Sequence, residues 1–105
     1  MLRVKRARNP DAVCLALLEK FVKQMQACHT VVLLCGVRPD LGRALRATGL
    51  ETLLGHQQIF HEGPVLISST LEAVRRAYEL IGTDYCEVCP RRKAAEGADP
   101  WYFMI

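Results

Sequence analysis

The chain has 105 residues, half of them apolar, and a formal net charge of +3. That length suits one domain with a modest core, because small domains bury a smaller share of their surface. The charge is too weak by itself to mark a nucleic-acid binder, and no apolar run approaches the roughly 20 residues of a bilayer-spanning helix.

The first residues, Met1 to Arg8, are cationic, and Leu2 and Val4 alternate with Arg3 and Lys5. This alternation predicts a strand with one wet face. A phosphate-binding or targeting arm is the secondary reading of the same cations. Pro10 and Asp11 follow, then a helix carrying Glu19 and Lys20, which is not the uninterrupted apolar segment of a signal peptide. The chain is therefore expected in the cytoplasm. Its five cysteines, an odd number, are expected to be reduced thiols. Cys14, Cys28 and Cys35 fall at apolar-pattern positions and read as small buried hydrophobes.

Asn9-Pro10-Asp11 opens a helix from about Pro10 to Ala27, with Asn9 as the cap and Pro10 at the first helical position. Cys14, Leu17, Leu18, Phe21, Val22, Met25 and Cys28 form its apolar stripe, and Glu19 with Lys23 an i,i+4 pair. Val31 to Cys35 reads as a strand buried on both faces, as in a parallel sheet. Strand, helix and strand make one right-handed βαβ unit. Gly36 to Pro39 then turns the chain out of the sheet.

A second helix is predicted over about Pro39 to Thr48, with Leu41, Ala44, Leu45 and Thr48 inward and Gly49 as its left-handed terminator. Leu50 to Leu54 adds a short helical turn, Ile59-Phe60 a short strand, and Pro64 to Ile67 an extended piece. The next helix starts at Ser69, three residues before Glu72, the spacing of a capping box. Leu71, Val74, Ala77, Tyr78 and Ile81 form its apolar stripe, Glu72 pairs with Arg76, and Gly82 ends it. The alternation of strands and helices predicts an α/β domain over residues 1–82. Residues 83–105 read as a C-terminal tail, with Cys86-Glu-Val-Cys89 near its start and an apolar terminus, Trp101 to Ile105, that docks on the domain or on a partner.

The block from Val31 to Leu50 resembles the STAS domain, as do Asn9-Pro-Asp-Ala-Val-Cys-Leu15, Ile59-Phe60 and the helix from Ser69 to Gly82. That family is shared by sulfate-transporter tails and bacterial anti-sigma-factor antagonists. The resemblance runs from about Leu2 to Gly82. It implies a small mixed sheet with helices mainly on one face, and a regulatory, protein-binding role without turnover or cofactor. Family members carry about two more strands before the position matching Leu2, so the domain reads as N-terminally shortened. Its open sheet edge would invite pairing, including with a second copy. Antagonist members place a phosphorylatable serine after an aspartate at the first helix. Here Asp11 matches the aspartate and Ala12 holds the serine position. Without a hydroxyl, Ala12 cannot take the phosphate charge of about −2 that drives that switch. The resemblance therefore favours the cytoplasmic regulatory domain of a SulP-like sulfate or anion transporter, partnered by the transporter's membrane domain. A stand-alone partner-switching protein without the serine is the alternative. In either case Asp11, Ala12, Val13 and Cys14 are the expected partner-binding site, and no residue is expected to be catalytic.

Cys86 and Cys89 have metal-ligand spacing but need a second pair, which only His56 and His61 could supply by the tail folding back. Plain tail cysteines are the preferred reading. There is no G-x-S-x-G elbow and no phosphate-cradling glycine pattern. Arg38, Arg43, Arg46, Arg75 and Arg76 read as a solvated basic face, without the aromatic platform a single-strand binder needs. No nucleic-acid partner is expected. A phosphate-bearing ligand or an acidic protein at a helix start is the residual role for these arginines.

Overall fold

A computed structural model describes residues 1–82 of the chain. They run as β1 (Leu2–Arg3), α1 (Ala12–Ala27), β2 (Leu34–Val37), α2 (Pro39–Ala47), α3 (Leu50–Leu54), a 3-10 turn (His56–Gln58), β3 (Ile59–His61) and α4 (Ser68–Ile81). This is the α/β class that the alternation predicts. The strands lie in the order β1-β2-β3, and both neighbouring pairs are parallel. Leu2 stands opposite Leu34, and Leu34 opposite Ile59. No antiparallel strand occurs among the described residues, so the part of the sheet seen here is parallel and not mixed. None of the helices there is long and apolar enough to cross a membrane.

The two crossovers step across the sheet in the same direction. Right-handed connections then place α1 and the α2–α3 pair on the same face. Their core joins Val22 of α1, Leu41 and Leu45 of α2, and Leu50 and Leu54 of α3 to Leu34, Val37 and Ile59 of the sheet. Each fully buried leucine contributes about 1.5–3 kcal/mol. This cluster, more than the short ladders, holds the layers together. α4 packs on β2 and β3. Successive strand residues point to opposite faces. Cys35, next to Leu34, is fully buried outside that cluster, as is Ala73 of α4, and Val74 is buried beside it. Among the described residues, α4 therefore covers the second face.

Several local expectations are corrected. Asp11, not Asn9, caps α1: its Oδ1 accepts from the Cys14 amide at 2.7 Å. Asn9 instead adopts φ 48, a left-handed conformation asparagine tolerates, and its amide donates to Asp40 Oδ2 at 3.0 Å. α1 buries a narrower stripe than its sequence offers. Val22 is fully buried, and Leu15, Leu18 and Met25 pack against the core, while Leu17, Cys14 and Cys28 are exposed.

The second strand lies further along than predicted. Val31 is exposed, and the ladder continues through Gly36 and Val37, with an irregularity between Cys35 and Val37. Gly36 sits there at φ +71, and a Cβ on it would lie 3.1 Å from the Lys5 backbone nitrogen. Both its backbone angle and this close approach require glycine. Pro64 to Ile67 is not extended but turns into α4, with Ile67 at φ 62. Ser69 forms no capping box. Its buried hydroxyl accepts the Gly36 amide at 3.1 Å, because the bulge frees that donor from the ladder. Arg76 bonds Glu79 and Gln57, not Glu72. Gly49 and Gly82 do follow their helices with positive φ, as predicted.

Candidate functional site

Two surfaces of the domain carry unusual side-chain arrangements. The first begins at the start of α1. Asp11, Ala12, Val13 and Cys14 are all exposed there. The Asp11 carboxylate accepts from the Cys14 amide, so it serves the local fold first. Val13, Leu17 and Phe21 follow at four-residue spacing, which aligns them along one side of the helix. Val13 is 68% exposed, Leu17 63% and Phe21 37%. The expected partner-binding residues are thus on the surface and continue into an apolar line.

The second surface lies at the carboxyl ends of β1 and β2. Because these strands are parallel, the loop after β1 and the turn after β2 emerge on the same side. A cleft of about 720 Å³ opens there, lined by Arg3, Lys5, Arg6, Arg8 and Arg38. Lys5 is paired with Glu62 at 2.9 Å. Arg3, Arg6, Arg8 and Arg38 form no ion pair among the described residues. Asp40, just inside α2, ties this wall together. The Asn9 amide, and after it the Leu41 and Asp40 amides and the Arg38 charge, hold its carboxyl below its ordinary pKa against an opposing desolvation. The amino end of α2 is therefore already occupied by an anion of the chain's own.

This grouping differs from the basic face expected of Arg38, Arg43, Arg46, Arg75 and Arg76. Arg46 pairs with Glu51, and Arg76 with Glu79, whereas Arg38 joins the cations of the first loop. The signal was available: one cationic segment follows the first strand and one arginine follows the second. Only the parallel pairing brings them together.

Of the metal-like set, His56 and His61 are among the described residues. His56 Nδ1 contacts Glu51 Oε1 at 2.8 Å, and His61 lies beside Gly42. No group of three or more His, Cys, Asp or Glu positioned to hold a metal occurs among the described residues. Cys86 and Cys89 fall outside them, as does the apolar terminus. Of the three cysteines expected in the core, Cys35 is buried and Cys14 and Cys28 are exposed. Comparison with known proteins gives no match: no family model, no curated protein and no solved structure is similar to this chain.

Proposed function

We propose that this chain is a non-catalytic, protein-binding regulatory module of the STAS type, serving as the cytoplasmic domain of a SulP-like sulfate or anion transporter. The observation that carries this reading is the outward apolar line Val13, Leu17 and Phe21. A surface helix of a small domain ordinarily presents a polar outer face. A contiguous apolar one marks a surface that another body covers. The line starts at the residues that resemble the family's switch site. With Ala12 in the serine position, contact there is constitutive and not phosphate-gated. The occupant is the transporter's membrane domain, reached by its cytoplasmic segments.

A photoreactive residue in place of Leu17, introduced in the native host, tests this directly. The control replaces Glu79, on the helix that covers the other face. An adduct with a multi-span membrane protein, specific to position 17, is the expected result. An adduct with a soluble kinase-like anti-sigma factor would replace the transporter by the partner-switching alternative. An adduct between two copies of this chain would make the stripe a dimer face. Equal labelling from both positions would remove the stripe as a binding surface.

A further inference from the structure

We propose that the cleft at the carboxyl end of the sheet binds a small polyanion carrying two or more phosphate groups. This inference is independent of the partner assigned to α1. Its basis is the convergence of Arg3, Arg6, Arg8 and Arg38 on one cavity with no carboxylate paired to any of them among the described residues. Glu62 is held by Lys5, and Asp40 by the Asn9 amide and the amides of its own helix turn. Asp40 also feels the Arg38 charge but forms no ion pair with it among the described residues, and four like charges share one concavity. Such a cleft concentrates positive potential and draws in a ligand of opposite sign.

The residue type narrows the ligand. Guanidinium groups present a planar fork that matches phosphate oxygens in pairs, whereas a lysine offers a point charge. Arg3 ends β1, Arg6 and Arg8 come from the loop after it, and Arg38 from the turn after β2. Cations on two walls suit a ligand with more than one anionic centre, each taken by a separate guanidinium fork. A cavity of about 720 Å³ lies within the size range of small-molecule sites, about 300–1,000 Å³. Among the described residues its lining is cationic and carries no aromatic ring, so the phosphates are the groups these side chains recognise. Such an anion could be a free polyphosphate ester or a phosphorylated lipid headgroup, and the two share this chemistry.

Calorimetric titration of the full chain with inorganic tripolyphosphate, pyrophosphate and sulfate tests the proposal. Tripolyphosphate should bind one per chain, at least about tenfold tighter than sulfate, and weaken steeply as salt is raised. The double variant R6A/R38A should lose about tenfold or more in affinity. Lys20→Ala, on α1 outside the cleft, should leave it unchanged. R38K, which keeps the charge, should lose several-fold, because a lysine lacks the fork. Circular dichroism of each variant confirms that the fold persists. Sedimentation with vesicles containing a phosphoinositide separates the sources: binding that tripolyphosphate displaces assigns the cleft to a headgroup, and no binding assigns it to a free anion. Absence of tripolyphosphate binding at millimolar concentration, or binding indifferent to R6A/R38A, would overturn the proposal.

Discussion

α1 and α4 cover opposite faces of the same three strands, and they use their apolar residues differently. α4 seats Ser69, Thr70, Ala73 and Val74 against the sheet. Three of these are small, so the helix lies close. Its exposed Leu80 and Ile81 are at one end. α1, of similar length, fully buries Val22 alone. Its exposed apolar residues run from Val13 through Leu17 to Phe21, a line and not a frayed terminus. Exposure at a helix end says little about binding, whereas an apolar line along a helix is what the proposed binding role requires.

The sharpest way to break this contrast is to place the same polar side chain on each side of α1. Val22→Gln puts an amide without partners into a fully buried site and should cost about 2–4 kcal/mol. Leu17→Gln should change stability by no more than about 0.5 kcal/mol, because its site is already wet. Urea denaturation followed by circular dichroism reads both. Comparable losses would show that the outer line is structural, and the binding role would fall with it.

On the α4 side, the corresponding anchor is polar. Ser69→Ala strands the buried Gly36 amide and should cost about 1–3 kcal/mol. Glu72→Ala should be nearly silent, since Glu72 makes neither the capping contact nor the Arg76 pair. If Glu72 proved the more costly, the capping box would be real and the link between α4 and β2 secondary. Thermal melts of the two variants decide it.

The two sides of the sheet also differ in how far the sequence reveals them. Helical periodicity locates α1, α2 and α4 to within a residue or two, and the glycines after α2 and α4 mark where they stop. What periodicity cannot weigh is how much surface the sheet offers. Leu17 and Leu18 are equivalent in sequence, yet Leu18 packs against the core and Leu17 is exposed. The branched run Val31 to Cys35 signals a buried strand, but the ladder extends past it because Gly36 adopts a positive φ that no local pattern announces. Ser69 with Glu72 has cap spacing, and the nearby unpaired donor of a bulge claims the hydroxyl instead. The basic cleft is a long-range fact. Arg8 and Arg38 meet only because β1 and β2 run parallel.

Two smaller effects sharpen the account of the loop that joins the faces to the cleft. Asp11→Ala removes the cap of α1 and should cost about 1 kcal/mol, measured by urea denaturation. Asn at that position should restore most of it, because its side-chain oxygen accepts the same amide bond. A loss that Asn cannot restore would mean that the charge, and not the hydrogen bond, is what the helix start requires.

Asp40 makes the smallest contribution, and its direction follows from linkage. The Asn9 amide lowers its pKa in the folded chain relative to the unfolded value of about 3.9. A carboxyl that binds protons less readily when folded adds stability while it is ionised. That contribution is complete above the unfolded value and disappears as pH falls through the lower, folded one. Between pH 5 and pH 3 the melting temperature of the native chain should therefore drop more than that of Asp40→Asn. The asparagine keeps an oxygen for the Asn9 amide but cannot titrate. Parallel acid profiles would show that Asp40 is not the acceptor joining the first loop to α2. The anchoring of one wall of the arginine cleft would then have to come from the Lys5–Glu62 pair.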